Sequence, residues 1–122
     1  MTSQVIKLEE EKEAVRKKLL PIMDTMELLS GKWKVVIMTV LYLGGKMRFN
    51  EIKRMIPKIT PRMLSKELKF LEEHDIVSRN IKASSNPIVT EYELTEYGLT
   101  LDPVFKAITE WGVKHRKHIM KK

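Results

Sequence analysis

The residues with the most chemistry to offer cluster in one short stretch: Thr60, Pro61, Arg62, Ser65, Lys66 and Lys69. At helical spacing Arg62, Ser65, Lys66 and Lys69 share a face, and Leu64, Leu68 and Leu71 take the opposite one. A helix that buries leucines and shows water only cations and hydroxyls suits a groove lined by phosphates and base edges. An arginine there can grip guanine at two points, a lysine more often meets phosphate, and the N-terminal residues of such a helix reach the bases. Thr60 and Pro61 belong to that tip. They also start the helix, as a hydroxyl cap followed by a proline in the first turn.

A second basic group follows. Arg79, Lys82, Ser84, Ser85 and Asn86 lie in a stretch whose period changes from 3.6 to 2. A ribbon of this kind can lie along a nucleic-acid backbone or enter the adjacent minor groove, where narrow A·T-rich geometry attracts cations. Lys82 belongs to the tip side. Arg79 shares parity with Val77 and Ile81, which leaves open a placement across the ribbon. A third group, Lys32, Arg48, Asn50 and Lys53, begins or lines earlier helices, where backbone N–H groups and a basic side chain suit a phosphate. Lys32 has an alternative role beside the Gly31 cap. His115 and His118 stand three apart, but no further ligand completes a metal site, and Glu72-Glu73 sits in polar surface with no acid/base signature.

Charge placement supports a polyanion partner. The chain carries +7 over 122 residues. Residues 31–70 hold ten basic residues (Lys32, Lys34, Lys46, Arg48, Lys53, Arg54, Lys58, Arg62, Lys66, Lys69) against Glu51 and Glu67, a net +8 that leaves −1 for the rest. There is no cysteine, which excludes disulfides, thiolate metal sites and thiol redox sensing within this sequence. No apolar run is long enough for a membrane span, and the first residues lack the pattern of a signal peptide, so a cytoplasmic location is expected.

Elements that position these groups follow from the apolar spacing. Residues 4–19 form a helix with a thin stripe of Val5, Leu8, Val15 and Leu19. Pro21 ends that helix or begins the next, which runs from Ile22 to Leu29 with Ile22, Met26 and Leu29 inward, and Gly31 fits the left-handed position after it. Trp33, Val36, Ile37, Val40 and Leu41 make a core-facing helical stripe ended by Gly44-Gly45; their β-branched content keeps a strand as an alternative. Phe49, Ile52 and Ile56 give a short helix stopped by Pro57. After the basic helix, residues 76–82 and 88–95 form two strands joined by turn residues 83–87. A last helix over 97–119, capped by Thr95, carries Leu101, Val104, Phe105, Ile108, Trp111 and Gly112. Met23, Met26, Met38, Met55 and Met63 fall at or near core positions, and Trp33 and Trp111 read as core or interface aromatics.

Two helices with a tight connection at 57–59 and then a hairpin is the winged helix-turn-helix layout. The chain also resembles a known family. The residues that carry this are Gly31-Lys32-Trp33, Arg48-Phe49-Asn50-Glu51-Ile52, Ile59-Thr60-Pro61-Arg62-Met63-Leu64, Leu68-Lys69-Phe70-Leu71-Glu72-Glu73, Glu91-Tyr92-Glu93-Leu94-Thr95-Glu96-Tyr97-Gly98 and Glu110-Trp111. In order and spacing they resemble the HxlR-type winged helix-turn-helix transcription regulators, relatives of the MarR group, over about Pro21 to Gly112. The resemblance implies a homodimeric bacterial repressor or activator. Many members place a cysteine just before the proline numbered Pro21 here, and several sense oxidants through it; this chain has Leu20 there, so that sensing does not carry over.

The expectation is therefore a mainly α fold with a small β-hairpin, a single winged helix-turn-helix domain over residues 1–122. Its parts are an N-terminal helix (4–19), a winged core (21–96) and a dimerisation helix (97–119). The function read from it is sequence-specific binding of double-stranded DNA by a homodimer at an inverted repeat. The basic helix, residues 60–73, would enter the major groove and the wing, 77–95, would lie on the backbone or minor groove. The alternatives are a winged-helix protein-interaction or RNA-binding module. No enzyme activity, cofactor or membrane partner is implied, and a small-molecule effector has room but no identity.

Overall fold

The computed structural model describes residues 2–121. Helix α1 (Ser3–Leu29) belongs to a compact unit of its own, and a second unit begins at Lys32. The break expected at Pro21 is not there: α1 runs through it for 27 residues. An interior proline removes one backbone hydrogen bond and crowds the carbonyl four residues earlier, a cost of about 3 kcal/mol. The residue that loses its partner, Lys17, is exposed, so water can serve its carbonyl, and Thr25 Oγ1 donates to the Pro21 carbonyl at 2.7 Å. α1 buries none of its residues; of Ile22, Met26 and Leu29, expected inward, the first two are exposed and Leu29 is half-buried. Gly31 does take the left-handed conformation, with φ 87°.

The second unit contains helix α2 (Lys34–Gly44), strand β1 (Met47–Arg48), helix α3 (Phe49–Met55), helix α4 (Pro61–Glu73), strand β2 (Val77–Lys82), strand β3 (Val89–Leu94), helix α5 (Glu96–Leu99) and helix α6 (Asp102–Met120). The sheet has three strands in the order β1-β3-β2, all antiparallel, where a two-stranded hairpin was expected. Two residues carry no readable alternation, which is why β1 escaped notice; it pairs Met47 with Tyr92 and Arg48 with Glu91. Together the helices and this small sheet form a winged helix-turn-helix.

The core sits between α2, α4, the base of the ribbon and α6. Its buried side chains are Ile37, Met38 and Leu41 from α2, Ile52, Ile56 and Ile59 around α3, and Leu64, Leu68 and Leu71 from α4. Ile76, Val77, Leu94 and Phe105 complete it. Each fully buried aliphatic contributes about 1.5–3 kcal/mol. The α2 stripe is displaced from the expected one. Met38 is buried and Val36 exposed, because α2 is covered from two sides, by α4 and by β3 and α6. Of the five methionines placed at or near the core, only Met38 is buried.

The single C-terminal helix expected over 97–119 is two helices. Thr95 caps α5 as anticipated, its Oγ1 accepting from Gly98 N at 2.9 Å. Gly98 is pressed against the backbone just before β2: a Cβ there would stand 2.3 Å from the Ile76 carbonyl oxygen. Pro103, at the start of α6, has no N–H to continue the ladder. The chain therefore restarts, with the Leu101 carbonyl accepting from Val104 N at 2.8 Å and Phe105 N at 3.0 Å.

Candidate nucleic-acid interface

α4 is built as its composition requires. Thr60 Oγ1 accepts from Met63 N at 3.1 Å, and Pro61 occupies the first turn. Leu64, Leu68 and Leu71 anchor the buried face. Thr60, Pro61, Arg62, Ser65, Lys66 and Lys69 are all exposed, and among the described residues no ion pair engages Arg62, Lys66 or Lys69. The helix thus presents three uncompensated cations and a hydroxyl. Asp75, with φ 61°, then turns the chain out of α4 into β2.

One lysine of the basic window is removed from this surface. Lys34 Nζ lies 2.9 Å from Glu67 Oε2, with side chains only 14% and 13% exposed. The same ammonium stands 4.5 Å from the centre of the Phe70 ring. The pair joins the first residue of α2 to the middle of α4 and leaves Lys34 no free charge to offer a ligand. Sequence reasoning missed it because the partners are far apart in the chain and share no local pattern.

The ribbon separates its charges by parity. Val77, Arg79 and Ile81 stand opposite Leu94, Tyr92 and Thr90 on one face; Ser78, Asn80 and Lys82 stand opposite Glu93, Glu91 and Val89 on the other. Arg79 lies on the face that looks toward α4: its Nε is 3.9 Å from Glu72 Oε1. It lines a cleft of about 510 Å³ with Ser65, Lys69, Glu72 and Tyr92, so it joins the helix group rather than the wing tip. On the outer face Asn80 donates to Glu93 at 3.1 Å and Lys82 Nζ meets Glu91 Oε1 at 2.9 Å. Ser84 and Asn86 are exposed at the tip, and Ser85, half-buried, donates its backbone N–H to the Lys82 carbonyl at 3.1 Å.

A larger cleft, about 740 Å³, opens between β1–α3 and the far end of β3. Lys46, Arg48, Asn50 and Arg54 line one side, and Pro87 to Glu91 the other. It brings Arg48 and Asn50 together with the ribbon, as the sequence could not specify, and adds Lys46 and Arg54, which had been counted only as charge. The hydrogen bond from Lys82 holds the Glu91 carboxyl below the usual carboxylate range; burial opposes this, and the charges of Lys82, Lys46 and Arg48 reinforce it. The Arg48 backbone N–H is not free for a phosphate, since it donates to Glu51 Oε1 at 2.9 Å. Lys53 is half-buried in the last turn of α3, apart from this cleft's lining. Lys32 is exposed, with its ammonium 4.8 Å from the centre of the Trp33 ring.

Known proteins resemble this chain in sequence and in fold. The HTH-type transcriptional regulator YdeP of Bacillus subtilis is 41% identical over 101 residues, 83% of this chain and 77% of its own length. An HTH-type transcriptional regulator of Methanothermobacter thermautotrophicus is 42% identical over 90 residues, 74% of this chain and 67% of its own. Among solved structures, the redox regulator HypR in its reduced form superposes with a TM-score of 0.75 at 38% identity, covering 84% of this chain and 99% of that one. A MarR-family regulator from Enterococcus faecalis V583 gives 0.71 at 28% identity, over 86% and 94%. A family model described as HxlR-like helix-turn-helix matches residues 28–120. The chain belongs to the HxlR-like helix-turn-helix family of transcriptional regulators.

Proposed function

We propose that the protein binds double-stranded DNA sequence-specifically as a homodimer, at an inverted-repeat operator. In this reading α4 enters the major groove, where Arg62 and Ser65 read base edges and Lys66 and Lys69 meet phosphates. The β2–β3 ribbon lies along the backbone or the adjacent minor groove, with Lys82, Ser84 and Asn86 nearest to it. The observation that carries the reading is the exposed face of α4: three unpaired cations and a hydroxyl above three buried leucines.

The homodimer rests on apolar surface. On α6 only Phe105 is buried, while Trp111 is 63% exposed and Ile108, one turn before it on the same face, is exposed too. α1 has an apolar stripe and no buried residue. Patches of this kind mark interfaces. A twofold dimer would set two α4 helices about 34 Å apart, one turn of DNA. No thiol of this sequence can serve as the trigger for regulation, because it has no cysteine.

Selection of bound duplexes from a random pool tests the reading. The expected result is a palindrome, with an affinity that falls with salt at a slope near −5 on logarithmic axes if about six phosphates are contacted. A preference for structured RNA, or no retention of any nucleic acid, would overturn it in favour of an RNA-binding or a protein-interaction winged helix.

A further inference from the structure

Glu91 stands where a DNA-binding surface should avoid a negative charge. It occupies the central strand, between Arg48 of β1 and Asn80 of β2, its direct cross-strand neighbours. Residues directly opposite in antiparallel strands share a face, so Glu91, Arg48, Asn80 and Lys82 all lie on the outer side of the sheet. Glu91 is 14% exposed and Lys82 55% exposed across their 2.9 Å contact. The carboxylate is thus set into the surface, and the ammonium stands out from it toward water.

Three cations also line the cleft, Lys46, Arg48 and Arg54, and its other carboxylate, Glu51, already accepts from the Arg48 backbone N–H. Glu91 is the carboxylate on which the charges of Lys82, Lys46 and Arg48 act together. One carboxylate within hydrogen-bond distance of a protruding lysine, in a cleft with three more cations, is the arrangement a phosphodiester would otherwise complete.

We propose that Glu91 is an internal phosphate surrogate: it occupies Lys82 and the cleft between β1 and the ribbon, and a DNA backbone phosphate must displace it. This rests on the DNA-binding reading above. The consequence is a lower electrostatic affinity for duplex of any sequence. Any duplex meets the same carboxylate, so binding through this surface forgoes one counterion release. Glu91 is then a positioning residue that acts through Lys82.

Replacing Glu91 by a neutral side chain tests this directly. Each additional phosphate neutralised steepens the logarithmic salt dependence by about 0.9, which at 0.1 M salt corresponds to roughly eightfold tighter binding relative to 1 M. Glu91→Gln should therefore bind a scrambled duplex about five- to tenfold more tightly at 0.1 M salt, with a slope steeper by about one and little gain near 1 M. Glu91→Met, a second neutral variant, should behave alike, and adding Lys82→Gln to either should remove the gain. A purely structural role would lower stability without steepening the slope. If the parent binds duplex and both neutral variants match it or bind more weakly, the surrogate role is wrong and the DNA-binding reading stands. If the parent binds no duplex at all, both are overturned.

Discussion

Removing the ammonium of Lys34 should disturb α4, the proposed DNA-reading helix, from a largely buried position against it. Lys34 and Glu67 are 2.9 Å apart with 14% and 13% of their side chains exposed, so each shields the other from the cost of burial. Lys34 also begins α2, where the helix dipole disfavours a cation by about 0.3–1 kcal/mol, and Glu67 offsets that. Removing one partner of a fully buried pair costs about 3–5 kcal/mol. With the residual exposure here, and the lost contact to Phe70, we predict about 2–3 kcal/mol for Lys34→Met. At this chain length that lowers Tm by about 10 °C. The double variant Lys34→Met/Glu67→Leu leaves no orphaned charge and should recover to within about 1 kcal/mol of the parent. Thermal and urea denaturation of the four species gives the coupling directly. A loss below about 0.5 kcal/mol for Lys34→Met, or losses that simply add in the double variant, would refute the claim that this pair holds α4 against α2.

Three further outcomes are expected. Gly98→Ala places a Cβ 2.3 Å from a backbone oxygen that cannot turn aside, and should cost about 3 kcal/mol or more, read as a fall in the urea midpoint. Thr60→Ala removes the acceptor for Met63 N and should cost about 1 kcal/mol, with weaker DNA binding as the tip of α4 frays, measurable by amide exchange at Arg62 and Met63. The Glu91 carboxyl is held low chiefly by the Lys82 hydrogen bond, so the folded state takes up its proton at lower pH than the unfolded chain. Its stabilisation is complete above the ordinary glutamate range and lost as pH falls through the lowered folded value. The parent's Tm advantage over Glu91→Gln should shrink on acidification from pH 6 to pH 3; an advantage that grows would contradict the assignment.

α4 was legible in the sequence because two independent signals agree on it. Leu64, Leu68 and Leu71 mark one helical face, and Thr60-Pro61 marks its start. The ribbon was legible because alternation over six residues cannot be mistaken for a helix, and the same parity raised the placement of Arg79 across the ribbon. What escaped has physical reasons. β1 is two residues long and exists only through its pairing with β3. The break between α5 and α6 is set by Pro103 and by the packing of Gly98 on Ile76, and the apolar spacing through 101–112 hides it. A proline such as Pro21 signals a boundary in the sequence, yet an exposed helix can leave one carbonyl to water. The cleft that gathers Lys46, Arg48, Asn50 and Arg54 depends on β3 crossing beside β1, a tertiary fact that no local pattern carries.

The most direct test of α4 as the DNA-reading element is equilibrium binding of Arg62→Ala to the selected operator and to a panel of its single-base-pair variants. The account predicts a loss of about 1–3 kcal/mol per site, with discrimination relaxed at one base-pair position and its symmetry mate while other positions stay as selective as in the parent. Binding equal to the parent's, or a weakening spread evenly over every sequence, would contradict it.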